Sequence, residues 1–219
     1  MRLWFTLLLA AGIVGGPAGA RAQVIDRILA VVDGAIIMQS DVAAAILLNR
    51  VPSAGLATGS GLSRPSAKDA ADPAGAALDR LIERQLILSE VDRYAPPDPA
   101  EADIDRQVSD IRSQAGTDFD RILLLSGLDV EQLRREVRDD LRIQTYLQQR
   151  FGAIQPTEDE ILQYYRDHPA SFAVNGAVRS FDDAHDVARA ALIAERRGEM
   201  IRDWLSDLRR RANVNVLPR

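Results

Sequence analysis

Cysteine is absent from this 219-residue sequence. That excludes disulfides, thiolate nucleophiles and a lipid anchor on an N-terminal cysteine. Histidine occurs only at His168 and His185, too sparse a set for the clustered ligands of a zinc site, so no metal is expected. Lysine occurs once, at Lys68, and acidic residues outnumber basic ones by 32 to 27. Nucleic-acid affinity comes largely from Lys and Arg neutralising phosphates, so no nucleic-acid partner is expected. Past the first 22 residues, no apolar run approaches the ~20 residues of a membrane-spanning helix. Gly59-Ser60-Gly61 has neither the preceding strand nor the following Lys-bearing helix of a phosphate loop. Ser126, Ser171 and Ser180 lie in no nucleophile motif. Asp139-Asp140 and Asp182-Asp183 are expected on helix surfaces, not converging in a cleft as acid–base chemistry requires. No cofactor and no catalytic residue is expected.

What is present begins with an address. Met1-Arg2 precedes an uncharged stretch, Leu3 to Gly16, broken by Pro17 and Gly19 and followed by Ala20-Arg21-Ala22. That is the layout of a secretory signal peptide, residues 1–22, cleaved before Gln23. Its loss would take the formal charge from −5 to −7, because Arg2 and Arg21 leave with it. Residues 23–219 are then expected to form one exported domain with no retained membrane span.

Val24 to Met38 reads as strand, with Asp33-Gly34 as the hairpin turn. Ser40 is expected to cap a helix that Pro52 ends. Residues 52–75 are dominated by Pro, Ser, Gly, Ala and Thr and read as a flexible loop. Helices follow. Asp72-Pro73 opens one to about Tyr94, and Asp98-Pro99 opens the next, with Pro at its first position. Thr117 is expected to cap a short helix, Asp118 to Ser126, that Gly127 stops. Asp129/Gln132 and Thr157/Glu160 read as capping boxes. Ser180 caps a final helix, Phe181 to Arg211, with a stripe of Phe181, Ala184, Ala188, Ala191, Met200, Ile201, Trp204, Leu205 and Leu208. Asn213 to Leu217 alternates like a strand. An isolated ribbon is marginal in water, so the C-terminal strand is expected to pair with the N-terminal hairpin. The fold class is thus mainly α: a helical body carrying a small sheet made from both ends of the chain.

Val24-Ile25-Asp26-Arg27-Ile28-Leu29-Ala30-Val31-Val32-Asp33-Gly34, with Ile36-Ile37 and Ser40-Asp41-Val42, resembles the start of the mature SurA-type periplasmic chaperones. Leu81 to Leu88, Leu141 to Gln144, Thr157 to Tyr165, and Trp204 through Val216 are similar to later segments of that family in the same order. One departure matters. The family usually carries parvulin-type prolyl isomerase domains between the Tyr-Tyr helix and the closing helix, and Ala173 to Ser180 is too short for any domain. The resemblance therefore implies a chaperone core without its isomerase: a periplasmic, ATP-independent holdase for unfolded outer-membrane proteins, monomeric or weakly dimeric.

Aromatic residues late in the chain, and a run of leucines that cannot all face one way, are the candidates for client contact. The expected peptide-binding set is Leu124, Tyr146, Phe151, Tyr164, Tyr165 and Phe172, against the alternative that most of these fill the core. Two other readings compete with the holdase. One is a residual prolyl isomerase; the other is a dedicated structural subunit of an envelope complex.

Overall fold

The computed structural model describes residues 26–48, 71–174 and 177–218. The signal-peptide segment, Val24-Ile25 and residues 52–70 lie outside them. The described chain is mainly helical, with a small antiparallel sheet.

Strands β1 (Ile28–Val32) and β2 (Ala35–Met38) form the expected hairpin. Asp33 and Gly34 both have positive φ, 49° and 93°, as a two-residue type I′ turn requires, which is why Asp-Gly stands there. β5 (Val214–Val216) pairs antiparallel with β1, Val32 opposite Val214 and Ala30 opposite Val216, so the strand order is β2-β1-β5. The turn itself fastens the C-terminus: Asp33 N donates to Asn213 O at 3.1 Å and Asn213 N donates to Asp33 Oδ1 at 2.9 Å. The expected union of the two chain ends is thus observed. A second ribbon, β3 (Ala173–Val174) with β4 (Ala177–Val178), fills the short stretch before the closing helix.

The helices are α1 (Gln39–Leu48), α2 (Pro73–Tyr94), α3 (Glu101–Ala115), α4 (Phe119–Ser126), α5 (Val130–Phe151), α6 (Glu158–Asp167) and α7 (Phe181–Arg211). Both capping boxes form, at Asp129/Gln132 and Thr157/Glu160. Gly127 ends α4 in the left-handed region, where glycine carries no Cβ penalty.

Several expected helix starts are displaced. Ser40 lies inside α1; its hydroxyl bonds Asp26, while Asp41 accepts the Met38 N–H at 2.7 Å and so closes the first turn. A hydroxyl that finds a carboxylate in the segment leading into β1 is lost to capping. Helix α2 does start where expected, at Pro73 with Asp72 as its cap, so the expected 52–75 loop gives up Pro73 to Gly75 to the first helical turn. Helix α3 starts at Glu101, beyond Asp98-Pro99, with no side-chain cap. Thr117 sits in a 3-10 turn and caps nothing.

Three apolar cores result. The central one joins the sheet to α2, the second half of α5 (Ile143, Tyr146, Leu147, Phe151) and the end of α7 (Ile201, Trp204, Leu205, Leu208). A second gathers Leu48, α3, α4 and the first half of α5. A third joins Ile161 and Phe172 to Ala184, Ala188 and Leu192 of α7. Helix α7, about 46 Å long at 1.5 Å per residue, therefore carries two separate buried stripes. Met200, expected in the stripe, falls at the change of face and is 46% exposed.

Candidate functional site

Helices α5 and α7 each serve two cores and meet over the central one. Between them lies a groove of about 930 Å³, lined by Gln144, Thr145, Leu147, Gln148 and Gln149 of α5 and by Ala190, Ile193, Ala194, Arg197, Gly198 and Ile201 of α7. The α5 residues fall at i, i+3 and i+4 spacings, one helical face. On α7 the same spacings run from Ala190 to Ile201, a face turned away from the stripe that meets α6. The floor is apolar. The α5 wall is amide-rich, and each glutamine presents two donors and an acceptor. Among the described residues Arg197 is the one charged residue lining it.

Gly198 is out of place in a helix interior, where it costs about 0.5–1 kcal/mol against alanine. A Cβ there would meet only the tip of the Arg202 side chain, at 3.3 Å. Backbone crowding therefore does not call for the glycine. Its effect is to keep the α7 wall low where the groove opens.

Ion pairs hold the α6 side of the molecule to α7. Arg196 Nη2 lies 2.6 Å from Glu160 Oε1, and His185 Nε2 lies 2.8 Å from Glu158 Oε2. The Arg196 bond, with the Thr157 cap, holds the Glu160 carboxyl down at about 2. His185, its side chain 28% exposed, bridges α7 to α6. Its pKa is raised, first by Glu158 and then by Asp186.

A second cavity, about 230 Å³, lies where β2, α1, α2 and the start of α5 meet. Beside it Arg84 is nearly buried, its Nε 3.0 Å from Asp140 Oδ1 and its Nη2 2.9 Å from Glu136 Oε2. Asp140, expected on a helix surface, has a side chain only 9% exposed. Burial pushes its carboxyl up to about 7, against the pull of Arg84. Among the described residues no three His, Asp or Glu side chains are placed to hold a metal ion, and no helix is long and apolar enough to cross a membrane.

The six residues expected to contact clients do not share a surface. Tyr146 and Phe151 pack on Trp204 in the central core, with ring centroids 5.9 and 5.5 Å away. Phe172 is buried in the third core against Tyr164 and Tyr165, at 6.4 and 5.2 Å. Both tyrosines are half-buried; Tyr165 Oη donates to Arg179 O at 2.5 Å, and Tyr164 stacks on His168. Leu124 alone stands clear, 81% exposed on α4. None of the six lines the groove. None of the groove residues is aromatic, and most are small or amide-bearing, so aromatic content gives no hint of them. The available signal was Ala190, Ile193, Ala194 and Gly198, at helical spacing on the face of α7 turned away from Ala184, Ala188 and Leu192.

No protein-family model matches the chain, and no curated protein matches it significantly.

Proposed function

We propose that this protein is an ATP-independent chaperone that holds non-native polypeptide in the groove between α5 and α7. The supporting observation is the groove itself: an open apolar floor large enough for several side chains, walled by amides. Ligand pockets of about 300–1,000 Å³ accept drug-sized groups, and this groove has room for a short extended segment. Amide walls satisfy peptide N–H and C=O groups whatever the client's sequence, because each amide both donates and accepts. The resemblance of the opening and closing segments to SurA-type chaperones supports the same reading. It also suggests outer-membrane proteins as clients and the periplasm as the compartment.

The test is suppression of light scattering by a urea-unfolded outer-membrane β-barrel diluted into buffer. Wild type at several-fold excess is expected to suppress aggregation. Gly198→Leu fills the groove and should abolish protection, while raising helix stability by about 0.5–1 kcal/mol. Ile193→Glu places a charge on the floor and should weaken apparent affinity about tenfold or more. No protection by wild type, or full protection by Gly198→Leu, would contradict the reading.

A further inference from the structure

The charge of Arg197 in the groove is uncompensated. Its neighbour Arg196 is spent on Glu160, and Arg142 of α5 on Asp92. Arg197 has no acid and no acceptor bonded to it among the described residues. The nearest acids along α7, Glu195 and Glu199, stand two positions to either side and so face elsewhere. Glu195 bonds Tyr164, and Glu199 lies by Arg196. Across the groove the sequence has no acid between Asp140 and Glu158, a stretch that covers the whole α5 wall. In a chain of formal charge −5, this groove is a local cationic exception that attracts an anion. Ile193, Arg197 and Ile201 follow at spacings of four, one line along the helix, so the arginine stands between two apolar residues of the groove. A free inorganic anion would leave those apolar residues uncovered. The arrangement calls for an anion joined to an apolar group.

We infer that Arg197 captures the C-terminal carboxylate of a polypeptide whose last residue is apolar. A terminal carboxylate shares its Cα with the last side chain, so an apolar side chain can cover the floor while the carboxylate meets the guanidinium. An acidic side chain would instead occupy a floor position itself. The arginine fork suits a carboxylate, which it can bond through two parallel N–H donors. The amides of the α5 wall both donate and accept, as the preceding peptide groups require. The chain's own end is held at the sheet, where Pro218 O accepts from Arg27 Nη2 at 2.6 Å, so the expected occupant is another polypeptide. This inference rests on the groove being the client site and names the part of the client that it grips.

The test uses three peptides of alternating threonine and leucine, each ending in leucine and labelled with a fluorophore at the N-terminus. One has a free C-terminal carboxylate, the second a C-terminal carboxamide, and the third a carboxamide with one internal threonine replaced by glutamate. Binding to the full chain is read by anisotropy. The free acid is expected to bind about fivefold more tightly than the carboxamide, a charge-assisted bond discounted for an open, solvated groove. Arg197→Gln should remove that difference, and Arg197→Lys, which keeps the charge without the fork, should retain part of it. Arg189→Gln, at an exposed position of α7 outside the groove, should leave it intact. Gly198→Leu should block both forms. Equal affinity for acid and carboxamide, with Gly198→Leu still blocking both, would overturn this inference and leave the chaperone reading standing. Binding of neither form by wild type would contradict both. The glutamate peptide has the same net charge as the free acid; if it bound as tightly, the site would read negative charge along the chain and not its end, and the inference would fall. Equal loss on Arg189→Gln would overturn it too.

Discussion

Arg84→Met should destabilise the fold by about 3–5 kcal/mol at pH 8, the cost of stranding a buried charge after its partner is removed. Arg84 sits on α2 and Asp140 on α5, so their contact joins two helices of the body. Neither side chain is more than 13% exposed. Methionine replaces the stem and not the charge, so the loss reads mainly as electrostatics.

Protonation sets the pH dependence. Burial raises the folded pKa of Asp140 to about 7, from the ordinary 3.8 of an aspartate. The folded state therefore binds the extra proton between those values, and stability falls as pH rises from about 4 through about 7. Removing Arg84 takes away the group that pulls this pKa down. The decline should then continue above pH 7, and the penalty of Arg84→Met should shrink markedly at pH 5. Asp140→Asn should flatten the decline in an otherwise wild-type chain. Urea denaturation at pH 5, 6.5 and 8 measures all three. An Arg84→Met penalty of the same size at pH 5 and pH 8 would show that packing, not charge, is what the arginine supplies.

Trp204→Ala should cost about 3–5 kcal/mol, in the range for removing a large buried aromatic. Trp204 contacts Tyr146 and Phe151 from α5 and lies under the Arg150 guanidinium, 5.3 Å from its ring. The same core reaches the sheet that ties the chain ends together. In a chain of this size each kcal/mol moves the melting temperature by about 2–4 °C, so a fall of roughly 6–20 °C is expected. Trp204 Nε1 is buried with no hydrogen-bond acceptor among the described residues. Trp204→Phe, which deletes that N–H and keeps an aromatic ring, should therefore cost far less than alanine. A phenylalanine variant as unstable as the alanine one would mean that the indole N–H has a partner.

The elements were legible where one local signal had no rival. Asp33-Gly34 is such a signal, as are the reciprocal bonds of Asp129/Gln132 and Thr157/Glu160. The pairing of Val214–Val216 with β1 followed from the instability of an isolated hairpin. Helix starts were misplaced where a tertiary partner claimed the expected cap, as Asp26 claims Ser40. The site was the least legible part. Aromatic residues advertise themselves in a sequence, but here Tyr146, Phe151 and Phe172 fill two different cores. The groove depends on a distance in space, the approach of α5 to α7, and on a single glycine at 198. Asp140 misled for the same reason: its burial depends on Arg84, 56 residues away.

The groove's role in holding unfolded chains is tested most directly by photo-cross-linking. A benzophenone side chain is placed at Ala194, on the α7 wall, or at Asp110, an exposed position of α3, and each protein is illuminated with an unfolded outer-membrane β-barrel. A client adduct at Ala194 that is absent at Asp110, and that folded β-barrel fails to form, is the predicted result. Equal labelling from both positions, or none from Ala194 while the protein still suppresses aggregation, would place client binding elsewhere.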